Sequence, residues 1–436
     1  MDLGLLTAVL IVSLAVLLFS GIPVAFALLV SGVLAFALGG GEKSLQFLGV
    51  LFWNQSFSFE FLAAPLFVYM GFLLEKSQLI SALFRAINLW IGRLPGSLGV
   101  VALVASTLFA AMCGSGGAAA ATLGTVMGPQ ARRAGFDKFL MLGVLCGGAS
   151  LAALIPPSLA FIIYSALTDA PISRLFAAGI VPGLVMTGVM MLYVVVACLL
   201  KPQLAPRQPT AASWREYLGT LWVFAVVGGI IFIVLGGIFL GWYTASESAA
   251  LGVIVAMVVL AVHHRFTVRA IAVAMVEGSR SAAVVAVFIM ALLICGTVYS
   301  AVLNFLGVPQ LVTAGIHAAG LGKLEFILIL SLILLAMGCF IDAPTIQVLT
   351  VPFVLPLLAP MGIDLIWFGV YMVFWVEIGS FTPPFGLFLF VLQGVMKVSY
   401  RDAVLGAAPF IPIWLLGVVL IYAFPQLVHW LPSKLF

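Results

Sequence analysis

Apolar residues run along this chain in blocks of about 20, the length a helix needs to cross a bilayer. Such blocks lie near 3–20, 22–40, 59–75, 177–200, 217–240, 246–262, 282–304 and 404–424. Four further blocks are interrupted. Residues 98–130 and 324–359 each have the length of two short helices and break near the middle, at "CGSGGA" (113–118) and "FIDAPT" (340–345). Residues 139–169 and 365–396 break at "IPP" and "TPP". A proline inside a helix removes a donor and clashes with the preceding turn, at a cost of about 3 kcal/mol. In hydrocarbon the freed carbonyls cost more still, so such a break survives only where protein buries it or a water-filled cavity faces it. The pairs Pro156, Pro157 and Pro383, Pro384 therefore mark a site. Two amphipathic stretches, 79–94 and 268–281, are expected to form helices lying along the membrane interface.

Composition agrees with this pattern and narrows the class. Hydrophobic residues make up 64% of the chain, charged residues 7%, and mean hydropathy is +1.31; soluble domains carry about 25% charged residues. The chain is an all-α polytopic membrane protein, and nothing in it suggests a nucleic-acid partner. The five cysteines (113, 146, 198, 295 and 339) sit singly in apolar stretches without CxxC pairing, which reads as packing and not as redox or metal chemistry. The first apolar run lacks a basic leader and a small-residue cleavage site, so it is expected to be a transmembrane helix and not a signal peptide.

The one extended polar linker, 201–216, divides the chain into residues 1–200 and 217–436. Adding 227 to positions 129–182 lands without a gap on 356–409 with nine identities, among them Gly135/Gly362, Asp137/Asp364, Pro156/Pro383, Pro157/Pro384, Phe161/Phe388 and Arg174/Arg401. The shared residues are mostly turn formers and helix breakers, which apolar drift does not align, so a duplication is expected. If the two copies are inverted and both termini lie outside, the inner loops collect 14 of the 18 basic residues, while Lys43, Arg174, Lys323 and Lys434 stay outside. That split follows the positive-inside rule.

Inverted repeats, each with a re-entrant hairpin and a broken helix, are how secondary transporters build a midplane site from half-helix ends and unwound carbonyls. Two clusters are expected: the tip Gly114, Ser115, Gly116, Gly117 against the break from Ser150 to Pro157, and Asp342 to Thr345 against the break from Glu377 to Pro383. Carbonyls and the hydroxyls of Ser115, Ser150, Thr345 and Thr382 are hard oxygen donors suited to an alkali cation. No HExxH, Walker or nucleophile pattern accompanies them, and the four histidines (263, 264, 317 and 429) do not cluster. Asp342 can be an ion ligand or a helix cap. Glu377, an acid in a membrane helix five residues before "TPP", is read as a site residue. Glu247 is read as a helix cap, Arg174 and Arg401 as interfacial anchors, and Trp53, Trp90, Trp242 and Trp430 as parts of interfacial belts.

At "AGFDKFLMLGVLCGGASLAALIPPSLAFIIYSALTDAPISRLFAAGIVPG", "GWYTASESAALG", "GCFIDAPTIQVLTVPFVLPLLAPMGIDLIWFGV" and "GSFTPPFGLFLFVLQGV" the chain resembles the large membrane subunit of tripartite ATP-independent periplasmic (TRAP) transporters, the DctM-like group. The resemblance implies a sodium-coupled elevator importer of organic acids such as C4-dicarboxylates or sialic acid, not an enzyme. It implies a bacterial inner-membrane location, a small four-helix membrane subunit (DctQ-like) and a periplasmic substrate-binding protein (DctP-like). Within that frame the expected sodium ligands are Gly114, Ser115, Gly117, Ser150, Asp342, Thr345, Gly379 and Thr382, partly through carbonyls. The expected substrate contacts are Ser115, Ser150, Pro156, Ser158, Glu377, Thr382 and Pro383. Gly116 stands where the family usually has a second serine, which leaves carbonyls and no hydroxyl at that point. The neighbouring reading is a stand-alone ion-coupled anion transporter of related architecture. A channel or a membrane enzyme would need a continuous polar pore or a nucleophile and base, and neither is visible.

Overall fold

The computed structural model describes residues 3–56, 59–206, 213–263 and 267–436, and every regular element among them is a helix. Arg207, His264, Arg265, the middle of the polar linker and the side chains of Lys43 and His317 lie outside the described residues.

The first half opens with α1 (Leu3–Phe19), α2 (Val24–Ser56) and α3 (Ala63–Lys76). The chain then bends by 67° into α4 (Leu79–Ile91), with Gln78 at φ +56° at the corner. Leu79, Ile80, Leu83, Phe84 and Ile87 of α4 are buried while Arg85 is exposed, so the first amphipathic stretch is a helix of its own. Next come α5 (Ser97–Cys113), α6 (Gly116–Arg133), α7 (Lys138–Leu154), α8 (Leu159–Thr168) and α9 (Ile172–Leu200).

The second half starts at α10 (Trp214–Ile231), prolonged by a π turn over Phe232–Gly236 and by α11 (Gly237–Phe239). Carbonyls loosened by the π turn are taken up by side chains: Tyr243 donates to Ile233 and Ser248 to Val234. Then follow α12 (Ala245–His263), α13 (Val268–Phe305) and α14 (Val308–Ala318). Here the structure departs from the pattern, because residues 268–281 are not a separate surface helix but the first part of the 38-residue α13. No proline interrupts it, and its early glycine, Gly278, is packed under Tyr69 and Phe72, so the helix propagates through. At 1.5 Å per residue α13 is about 57 Å long, well beyond the roughly 30 Å hydrocarbon core. Likewise, the apolar block 22–40 continues to Ser56 in α2. The chain closes with α15 (Lys323–Gly338), α16 (Ala343–Leu358), α17 (Leu365–Ser380), α18 (Leu387–Met396), α19 (Tyr400–Ala407), α20 (Phe410–Ala423) and the short α21 (Gln426–His429) and α22 (Pro432–Leu435). Among the described residues five helices are long and apolar enough to cross a membrane, or seven if each of two bent pairs is one span.

Two groups of helices result. α1, α2, α3, α12 and α13 pack together, and α10 joins them through α4, where Trp90 donates to Thr220 at 3.0 Å. The second group is built around α7 and α17 and gathers α5, α6, α9, α15, α18 and α20. From Leu140 to Leu154 and from Trp367 to Ser380 every residue of those two central helices is buried. A helix apolar on all sides belongs at the centre of a bundle. The related segments also have the same local structure: Asp137 and Asp364 cap α7 and α17, accepting the N–H of Leu140 and of Trp367, each at 2.8 Å.

Candidate substrate and ion site

Each interrupted block is two helices around a short break. Between α5 and α6 the chain turns at Gly114, in the left-handed region at φ +68°, and Ser115 caps α6 by accepting the N–H of Ala118. The break at Pro156 and Pro157 is answered from this tip: the Gly114 carbonyl accepts the N–H of Leu159 at 3.1 Å. A Cβ on residue 114 would stand 2.5 Å from the Pro157 carbonyl oxygen, so only glycine lets the two breaks meet this closely. Ser158 caps α8, accepting from Phe161, and its hydroxyl donates to the carbonyl of Ala153 that the prolines left free.

The second half solves the same problem with other residues. Thr382 donates from N–H to Gly379 at 3.1 Å and from its hydroxyl to Ile378, and Tyr400 donates to the carbonyls of Pro384 and Phe385. Gly338 at the end of α15 rests on Gly379 of α17, backbone on backbone: a Cβ at 338 would lie 2.7 Å from the Gly379 Cα. Asp342 occupies the N-cap position of α16 without accepting a backbone N–H, and its carboxylate accepts the Thr345 hydroxyl at 2.8 Å instead. Of its two expected roles, the cap by side chain is therefore absent.

The tips pack on the breaks of their own halves, and they also cross over. α6 lies along α18, with Gly116 against Phe388 and Gly124 against Leu392, while α16 lies against α8. As a consequence the two expected clusters open on one cavity of about 210 Å³, lined by Gly114 to Gly117, Ala153, Leu159, Ala160, Asp342 to Pro344, Glu377, Ser380, Leu387 and Phe388. A second cavity of about 360 Å³ shares Asp342, Ser380 and Leu387 with it. Ser150 is buried beside the Glu377 carboxyl group, with its hydroxyl donating to Cys146 at 3.1 Å. Thr345, Gly379, Thr382, Pro156, Ser158 and Pro383 hold the breaks in shape and do not line the 210 Å³ cavity. Ser380 and the first residues of α8 and α18 do line it, and no sequence signal singled them out as ligands.

The electrostatics are unusual. Four helices, α6, α8, α16 and α18, begin at this cavity, and α16 and α18 have no side-chain cap. Helix starts present unpaired N–H groups and a positive partial charge, which suits an anion. Asp342 and Glu377 place two carboxyl groups in the same wall, and no Lys, Arg or His lines either cavity. Glu377 is 3% exposed and its Oε2 has no hydrogen-bond partner. The wall thus offers N–H groups suited to an anion and carboxyl oxygens suited to a cation.

Comparison with known proteins identifies the lineage. The family described as "Tripartite ATP-independent periplasmic transporter, DctM component" matches residues 11–427. The chain belongs to that family. It is 29% identical over 433 residues to the C4-dicarboxylate TRAP transporter large permease protein DctM of Vibrio cholerae, covering 95% of each chain. It is 28% identical over 423 residues to the sialic acid TRAP transporter large permease protein SiaM of the same organism, covering 96% of each. Its fold is similar to that of the YdaH transporter of Alcanivorax borkumensis, with a TM-score of 0.63 over 92% of this chain and 97% of that one at 16% identity. This DctM-family chain is a membrane transport protein and not an enzyme.

Outside the cavity the other readings sort simply. Glu247 caps α12 reciprocally with Thr244, accepting its N–H at 2.8 Å. Arg174, Arg401, Trp53, Trp90, Trp242 and Trp430 are exposed. All five cysteines are buried and free. His429 stands 3.7 Å from Asp364 in a separate cleft that Lys323 and Trp367 also line.

Proposed function

We propose that this chain is the large membrane subunit of a sodium-coupled TRAP importer of organic acids in the bacterial inner membrane. The observation that carries the reading is the single cavity where four helix starts face two carboxyl groups with no basic side chain. An organic carboxylate takes the N–H groups at the starts of α16 and α18; sodium takes the oxygens of Asp342, Glu377, Ser115 and the tip carbonyls, and brings the charge toward balance. Mutual dependence of anion and cation follows from that arrangement without any moving part, because each alone leaves like charges uncompensated in low dielectric.

The 227-residue correspondence, the matched caps and the paired breaks support two inverted repeats, 1–200 and 217–436, with both termini periplasmic. The group around α7 and α17 is the transport domain, and it moves as an elevator against the group containing α2, α3 and α13. Exposed apolar faces on α1, α10 and α12, for instance Val12, Trp222 and Val258, suit lipid and the DctQ-like small subunit. A DctP-like binding protein delivers the substrate. The nearly equal identity to a dicarboxylate and a sialic acid permease leaves the solute to be assigned by the cavity and by that partner.

Uptake by proteoliposomes holding the complete transporter tests the reading. An inward sodium gradient without ATP is expected to drive organic-acid accumulation. Uptake unchanged on replacing sodium with potassium would sink it.

A further inference from the structure

The 360 Å³ cavity beside the proposed solute site differs from it in kind. Phe340, Ile341, Phe385, Leu387 and Phe390 line it, and its polar side chains, Asp342 and Ser380, are the two that it shares with the 210 Å³ cavity. Both breaks of the second half supply a ring: Phe340 lies between α15 and α16, and Phe385 between α17 and α18. The third ring is fixed in place. Phe390 stacks on Tyr400 with centroids 4.9 Å apart and meets Phe385 at 5.2 Å, while the Tyr400 hydroxyl donates to the carbonyls of Pro384 and Phe385. At the positions 227 residues earlier than Phe385 and Phe390 stand Ser158 and Ile163, so this aromatic pair is peculiar to the second half.

We infer that the solute is an aromatic monocarboxylate, held with its carboxylate at the helix starts of the 210 Å³ cavity and its ring among the phenylalanines of the cavity beside it. Charge favours this division. The starts of α6 and α8 and the first residue of α16 border the smaller cavity and not the larger one, which no basic side chain lines. A second carboxylate placed there would meet Asp342 and apolar rings, shedding its water without gaining a cation. An aryl group instead removes apolar area from water and packs ring against ring. A volume of about 360 Å³ falls within the roughly 300–1,000 Å³ of small-molecule sites, which join apolar and aromatic walls to a few orienting polar groups. This inference rests on the transport reading above and adds the solute class to it.

The test uses the membrane complex alone, without the binding protein, so that the partner's selectivity does not enter. Binding of propionate, 3-phenylpropionate and succinate is measured by calorimetry in sodium and in potassium, for the parent and for Phe340→Ser, Phe385→Ser and the double variant. Phe340 and Phe385 are 66% and 57% exposed, so the variants are expected to melt with the parent. In sodium the parent is expected to bind 3-phenylpropionate at least about ten-fold more tightly than propionate, the effect of burying one phenyl group, and more tightly than succinate. The double variant is expected to bring 3-phenylpropionate and propionate within about three-fold of each other. A gain below about ten-fold in the parent, one that survives in all three variants, one equally large in potassium, or tighter binding of succinate overturns the inference and leaves the transport reading standing. Absence of sodium-dependent binding of all three acids to the parent overturns both.

Discussion

Replacing Glu377 by Gln removes a carboxyl group able to balance a bound cation and changes almost no volume. If a sphere had the cavity's volume of about 210 Å³, its radius would be roughly 3.7 Å, which sets the distance from a wall carboxylate to a centrally held cation. At an effective dielectric of about 20, that separation corresponds to roughly 4.5 kcal/mol. Each 1.4 kcal/mol is a factor of ten, so the upper bound on lost sodium affinity is about 10³-fold. The remaining oxygen of the amide retains part of the interaction, and a shift of about 10²-fold to 10³-fold in half-saturating sodium is expected. Sodium titrations of organic-acid binding to the purified complex, read alongside the melting temperature, supply the measurement. If Glu377 only holds α17 against Ser150 and α7, glutamine fits the same space and half-saturating sodium stays put. A shift below about three-fold, with binding otherwise intact, refutes the electrostatic argument.

Three further outcomes follow from particular contacts. Gly114→Ala places a Cβ against the Pro157 carbonyl at a left-handed φ, and is expected to cost about 1–3 kcal/mol of stability and at least about ten-fold in uptake; Gly188→Ala, with open space around it, serves as the comparison and is expected to leave uptake unchanged. Cysteines at the exposed positions Arg133 and Ala359, which precede the two matched caps, are expected to react with impermeant reagents from opposite sides of the membrane, and labelling from one side would end the inverted-repeat reading. Spin labels at the exposed positions Arg174 and Leu34 report on the two helix groups, and their separation is expected to change between sodium-bound and turnover conditions; one invariant distribution would rule out an elevator.

Several features of the molecule were settled by local chemistry and could be read along the chain. Blocks of apolar residues of membrane length form helices in any arrangement, because no other structure satisfies a backbone in hydrocarbon. The four breaks fall at 114–115, 155–158, 339–342 and 381–386, in the places marked by "CGSGGA", "IPP", "FIDAPT" and "TPP", while the single prolines Pro129, Pro182, Pro352 and Pro356 lie within continuous helices. Asp137 and Asp364 start helices because a carboxylate within reach of the third N–H satisfies it, whatever surrounds it.

The crossing of the halves was decided only in three dimensions. α7 and α17 are buried all round, so no apolar stripe on them records which neighbour lies on which side. What selects α18 for α6 is shape: Gly124 under Leu392 and Gly116 under Phe388. A glycine in the sequence does not say which partner it makes room for. The crossing is nevertheless what turns two separate clusters into one cavity with four helix starts. The length of α13 was decided in the same way, because a stretch with basic residues and an apolar face is equally compatible with lying on a membrane and with extending a crossing helix. Packing of Gly278 beneath Tyr69 and Phe72 chose the second. Sequence thus determined where this chain is helical and where it breaks, through forces that act within a few residues. The tertiary structure determined which breaks share a cavity, through close packing between segments of opposite halves of the chain.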